Sequence, residues 1–400
     1  MTQIVSSFDK VINRRNTDSL KWDGMKERFG PIPDDTLPMW VADMDFLSPE
    51  PVIKALRERV EHGVFGYASD PLSLFEAVAE WMKRVHGWNV DPGSIFTTPG
   101  VMPAIGMAIR ALTRPGEKVI IMPPVYPPFF RIVEDNERVL VQVPLIEEKG
   151  YYSMDFEELE RACGDKAVKM VLLCSPHNPV GRVWTERELD KLVKISQKTE
   201  TIIISDEIHA DLVHSGNRHI PYATRAKETS LWITCVSPSK TFNIPGLNTS
   251  YTIIADDALR IAYSKSHRAT AATHHNVFGL AAAKAAYSFG DPWRREMLAC
   301  IERNLEQAIN FFQISMPWVG LTRPEGTYLL WLDFRKSGLN SEKITERLLQ
   351  KGRVALDPGH WFGKEGEGFQ RLNVACPAEL LEDGLRRIRS AFADIRPEVE

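Results

Sequence analysis

Short apolar runs, each followed by a polar or amphipathic stretch, constrain this chain most. Residues 119–122, 139–143, 170–174, 201–204 and 232–236 are built almost wholly from Val, Ile, Leu, Met, Cys and Thr. Near-continuous apolar character over so few residues reads as strands covered on both faces, the habit of a parallel sheet. Between two of them, Glu186-Arg187-Glu188-Leu189-Asp190-Lys191-Leu192-Val193-Lys194-Ile195 has helical periodicity, with Thr185 placed as its N-cap. Strand and helix in alternation predict an α/β fold with a doubly wound, mostly parallel sheet. Ligands in such sheets bind beyond the carboxyl ends of the strands. That rule predicts one functional rim holding residues 175–178, 206–209 and 237–240, each of which directly follows an apolar run.

The rim residues carry chemistry. Lys240 has no acidic residue among its four neighbours on either side. A lysine at the end of a buried strand is desolvated, which lowers its pKa and frees its amine to attack a carbonyl. Asp206 ends the run Ile202-Ile203-Ile204-Ser205, where an unpartnered carboxylate is costly and calls for a cationic N–H. Asn178 precedes Pro179, which biases it toward an extended backbone. Gly100, Val101 and Met102 stand where a turn after Ser94-Ile95-Phe96 opens a helix. Backbone N–H groups at such a helix start bind phosphate, with the hydroxyls of Ser237 and Ser239 close in the chain to Lys240. Tyr126 follows another strand and offers a ring for stacking. Arg371, between apolar Phe369, Leu372 and Val374, needs an anionic partner, and its fork suits a carboxylate. Each residue also has a structural reading: a turn for Asn178, packing for Tyr126, an internal salt bridge for Arg371.

Composition narrows the classes. With 44% hydrophobic and 26% charged residues, the chain reads as an ordinary globular protein, and a net charge of −4 disfavours nucleic acid as a partner. No apolar stretch reaches the roughly 20 residues a membrane helix requires, and Met1-Thr2-Gln3-Ile4-Val5 is followed by charges rather than a signal-peptide core. The expected location is the cytoplasm. The five cysteines form no CxxC pair, and no His/Cys cluster has metal-ligand spacing, so no metal is expected.

Asn178, Asp206 and Lys240, in that order and each after a strand, resemble the pyridoxal-phosphate (PLP) enzymes of the aspartate-aminotransferase fold. Leu37-Pro38-Met39-Trp40-Val41-Ala42-Asp43-Met44-Asp45-Phe46, Phe65-Gly66-Tyr67, Ser175-Pro176-His177-Asn178-Pro179-Val180-Gly181-Arg182 and Asp206-Glu207-Ile208-His209 narrow the likeness. They are similar to the cystathionine β-lyase-like branch, the carbon–sulfur lyases grouped with MalY, PatB and cystalysin. The resemblance implies fold type I: a large domain over residues 49–294 and a small α/β domain joining 1–48 to 295–400. It implies PLP as cofactor, with Lys240 forming the Schiff base, Asp206 at the pyridine nitrogen and Asn178 at the ring hydroxyl. His209 stands where ordinary aminotransferases carry Tyr, and Asn248 where many carry a phosphate-binding Arg. Arg371, with Asn178, Tyr126 and Trp40, would face the substrate. Tyr67 would serve catalysis and the cofactor across a homodimer with shared active sites. The implied reaction is α,β-elimination of an S-substituted L-cysteine, such as L-cystathionine, to thiol, pyruvate and ammonia. An aminotransferase built on the same residues, or a protein-binding role on the same fold, are the alternatives.

Overall fold

The computed structural model describes residues 8–226, 231–271 and 273–395. The apolar runs become strands of a seven-stranded sheet. In chain order these are β1 (Ile95–Thr98), β2 (Lys118–Ile121), β3 (Val139–Gln142), β4 (Val168–Cys174), β5 (Ile202–Asp206), β6 (Trp232–Val236) and β7 (Ser250–Ile253). Their spatial order is β1-β7-β6-β5-β4-β2-β3. Pairing is parallel from β3 through β6, and β7 runs antiparallel between β6 and β1. Strands β4 to β6 lie mid-sheet and are buried almost throughout, as a covered parallel sheet demands. Strand β3 departs from the expected burial: it is the edge strand, and Val139 is 46% exposed.

Helices fill the connections. Helix α1 (Val101–Leu112) follows β1, and α2 (Glu186–Thr199) follows β4. The Thr185 hydroxyl accepts from the Glu188 amide at 3.3 Å while the Glu188 carboxylate accepts from the Thr185 amide at 2.8 Å, a complete capping box. A single turn, α3 (Pro238–Thr241), follows β6 and carries Lys240. Helix α4 (Asp291–Ser315) leads to a second, four-stranded antiparallel sheet. Its strands are β8 (Gly320–Leu321), β9 (Leu329–Asp333), β10 (Asp357–Pro358) and β11 (Phe369–Asn373), in the order β8-β9-β11-β10.

The two chain ends share one apolar core. Phe8, Met39, Met44 and Phe46 pack with Met297, Ile301 and Leu305 of α4 and with Leu329, Leu372 and Leu385. Full burial of each such side chain stabilises the fold by about 1.5–3 kcal/mol. Polar groups fix the N-terminal segment as well. Buried Asp45 accepts from Lys21 Nζ at 2.6 Å, Arg14 Nη1 at 2.7 Å and Trp22 Nε1 at 2.9 Å.

Residues 39–46 then run as a strap between the two sheets. Asn373 on β11 donates to the Val41 and Asp43 carbonyls at 2.7 and 2.6 Å. On the far side Asn243, just after α3, donates to the Met44 and Phe46 carbonyls at 2.9 and 2.8 Å and accepts from the Met44 amide at 2.9 Å. Asn243 has φ 55°, a left-handed conformation that asparagine tolerates better than most residues. The lysine turn and the arginine strand are thereby tied to the same eight residues.

Candidate active site

The strand ends deliver their side chains to one place. Lys240 Nζ donates to the Ala42 carbonyl of the strap at 2.6 Å, and the Tyr328 hydroxyl donates to that carbonyl at 2.8 Å. Burial depresses the Lys240 amine to about 8, with the Arg371 charge adding to the effect and Asp43 and Asp206 opposing it. A lysine so placed holds a usable fraction of neutral amine near neutral pH.

Asp206 ends β5 and is 4% exposed. One carboxylate oxygen accepts from the Ile208 amide at 3.1 Å. Burial raises its carboxyl to about 7; Glu207 pushes the same way, and the Ile208 amide and Lys240 pull back only in part. A buried carboxylate held this high is poised to meet a cationic N–H. His209, one turn on, is buried and held down to about 3 by burial, then by the charges of Lys240 and Arg371, so its ring is neutral. Its Nδ1 is buried without a hydrogen-bond partner.

Arg371 and Asn178 meet directly. Arg371 Nη1 donates to Asn178 Oδ1 at 3.0 Å and Nη2 donates to the Trp40 carbonyl at 3.0 Å. Nη2 also pairs with Asp357, its partner across the β10–β11 ladder. Arg371 Nε is buried with no partner. Asn178 sits in a loop with cis peptide bonds before both Pro176 and Pro179. Tyr126 lies at the same place: burial raises its hydroxyl, with the Asp206 charge adding to the shift and Arg371 opposing it.

The expected phosphate contacts also cluster. Gly100 caps α1, whose first residues are Val101 and Met102, and no side chain caps this helix start, where backbone N–H groups lack intrahelical partners. Gly100 takes an extended backbone (φ 163°), open to any residue. Ser237 caps α3: its Oγ accepts from the Ser239 amide at 3.1 Å and lies 2.9 Å from both Ser239 Oγ and the Thr249 carbonyl. Ser250 pairs with Thr98 across β7 and β1, which sets the α1 N-terminus beside the Ser237 turn. Asn248 is exposed, at the end of the short helix Pro245–Leu247.

Two expected site residues do not bring their side chains to this site within the chain. The Trp40 indole donates to the Lys21 carbonyl at 2.9 Å and packs edge-on against Phe29 at 5.1 Å, so its carbonyl rather than its ring reaches Arg371. Tyr67 is 95% exposed, in a segment without helix or strand, its ring 5.4 Å from that of His274.

Sequence reasoning missed Asp357, Tyr328 and Asn373. Asp357 had a readable signal, because it ends the apolar run Val354-Ala355-Leu356 just as Asp206 ends its own. Ala42 could not be found that way, since its working group is a backbone carbonyl.

Known proteins resemble this chain over nearly its whole length. The chain is 44% identical over 388 residues to the cystathionine β-lyase PatB of Bacillus subtilis, covering 97% of this chain and 100% of that protein. Cystalysin from Treponema denticola, whose crystal structure contains a pyridoxal 5′-phosphate cofactor, superposes with a TM-score of 0.95 at 36% identity, over 98% of this chain and 100% of that one. A PLP-bound C–S lyase from Staphylococcus hominis superposes with a TM-score of 0.91 at 31% identity, over 97% and 98% of the two chains. The family model for aminotransferase class I and II matches residues 35–388, and the chain belongs to that family.

Proposed function

We propose that this protein is a PLP-dependent carbon–sulfur β-lyase that cleaves S-substituted L-cysteines to thiol, pyruvate and ammonia. The observation that carries the reading is the convergence of Lys240, Asp206, Asn178 and Arg371 on one site, with burial holding the Lys240 amine at about 8. Relatives named as cystathionine β-lyase and C–S lyase support it.

The residues present fit the cofactor. A pyridine N–H would relieve the Asp206 carboxyl, and Asn178 and Tyr126 would flank the ring. The α1 N-terminus with Ser237 and Ser239 would receive the phosphate. His209, buried beside Lys240, would present its unpartnered Nδ1 to the same ligand. PLP, when bound, supplies the electron sink that allows a Cα–H bond to break.

The chain's own residues do the rest. Arg371 and Asn178 hold the substrate α-carboxylate, and the orphaned Arg371 Nε marks a donor ready for it. Lys240, tuned toward neutral pH by burial, takes the α-proton, because a base works best with a pKa near the operating pH. The Ala42 carbonyl, held by Tyr328, receives the ammonium that results. Lys240 then returns a proton toward the departing sulfur, with Tyr67 the second candidate donor.

Tyr67 serves this scheme as a residue lent to a second copy of the chain. Its exposure, and that of Val64 (63%), Phe65 (54%) and Leu72 (63%) nearby, supports a symmetric dimer with shared sites. The same reading assigns residues 49–294 to the cofactor-binding domain and the two ends to a smaller one, supported by the core the ends share.

The test mixes two variants, Tyr67→Phe and Lys240→Ala, each strongly impaired alone in pyruvate release from S-methyl-L-cysteine. Subunit exchange should restore about a quarter of wild-type activity, since about half the dimers are mixed and each holds one intact site. No recovery in confirmed mixed dimers would place Tyr67 outside the shared site.

A further inference from the structure

We infer that Asp357 is a specificity-determining residue that weakens the site's hold on bare carboxylates, by neutralising Arg371 before any substrate arrives. This rests on the reading of Arg371 as the α-carboxylate anchor and goes one step beyond it.

Asp357 lies on β10, opposite Arg371 on β11. Both side chains are deeply buried, at 9% and 5% exposure, and they form a direct ion pair. Arg371 has five N–H donors in a fixed fork. The two on Nη2 point to the Trp40 carbonyl and to Asp357, and one on Nη1 goes to Asn178. Two donors remain for an incoming ligand, and the Phe362 ring covers the guanidinium at 4.9 Å. Burial raises the Asp357 carboxyl above its ordinary value, and the Arg371 and Arg28 charges pull it back toward the ionised form in part; the direct ion pair with Arg371 is what answers the guanidinium charge.

The consequence is a carboxylate subsite with donors but no net charge. A lone buried arginine would hold any small carboxylate, including the product oxo acid. With its charge answered by Asp357, Arg371 contributes hydrogen bonds and orientation, and the remaining affinity must come from the amino group and the side chain of the substrate. Simple acids have neither, so the site discriminates against them and lets the product go.

The experiment uses the holoenzyme and acetate as a competitive inhibitor against S-methyl-L-cysteine. Asp357→Asn keeps an acceptor for Nη2 and removes the charge. Its acetate inhibition constant should fall on the order of tenfold or more, and KM should fall by more than kcat changes. Asp357→Ser, a smaller neutral acceptor, should act in the same direction and serves if the Asn variant does not fold. An acetate constant that is unchanged or weaker in both folded neutral variants overturns the inference and leaves Asp357 as a support for the Arg371 fork. Arg371→Ala separates the two levels. If it leaves acetate inhibition as in wild type, the assignment of Arg371 to the carboxylate has failed rather than the role of Asp357.

Discussion

Lys240→Ala should lower pyruvate release from an S-substituted L-cysteine by about 10³-fold or more, because the proposed function gives one amine the roles of both covalent anchor and general base. The protein should stay folded. Lys240 sits where burial works against its charge, holding it at about 8 against the ordinary 10.5, so its removal relieves a cost rather than breaking a support. The hydrogen bond lost at the Ala42 carbonyl is retained in part by Tyr328. An unchanged or raised melting temperature together with lost turnover separates a chemical role from a structural one. Activity within tenfold of wild type would remove Lys240 from the mechanism.

Asp206→Asn should cost about 10²–10³-fold in kcat, the scale for removing one preorganised electrostatic contact from an active site. It should also change how stability depends on pH. The Asp206 carboxyl is raised by burial from the ordinary 3.8 to about 7 in the ligand-free protein. A raised folded pKa means the native state holds the proton more tightly than the unfolded one, so this contribution is fully present below about pH 4 and is lost as pH rises through 7. Its size is roughly 4 kcal/mol, from about three units at 1.36 kcal/mol each. Denaturant unfolding of the ligand-free protein should show that loss in wild type and a flatter profile in Asp206→Asn. Identical pH profiles would mean that Asp206 is not the group described here.

The legible part of the molecule was the part written in side-chain pattern. The runs that became β2, β4, β5 and β6 are apolar because both faces of the sheet are covered, and the rim followed from where they end. Strand β7 was harder to see: Ser250 and Thr252 interrupt the apolar pattern, and their hydroxyls are satisfied inside the protein, Ser250 by Thr98 at 2.8 Å and Thr252 by Tyr263 at 3.1 Å. The union of Phe8 and Phe46 with Leu329 and Leu385 is a long-range contact that no local pattern encodes. The strap shows the same limit for the site. Trp40 and Ala42 contribute carbonyls to Arg371 and Lys240, and a carbonyl has no letter in the sequence. Resemblance points to residues 37–46 as a motif; the folded chain supplies a reason, which is that this segment ties Lys240 to Arg371.

The most direct measurement is of products from L-cystathionine with the PLP-loaded protein and no 2-oxo acid added. The account predicts pyruvate, ammonia and homocysteine in equal amounts over many turnovers. No pyruvate under these conditions, with amino transfer appearing once an oxo acid is supplied, would contradict it and make the protein an aminotransferase built on the same lysine.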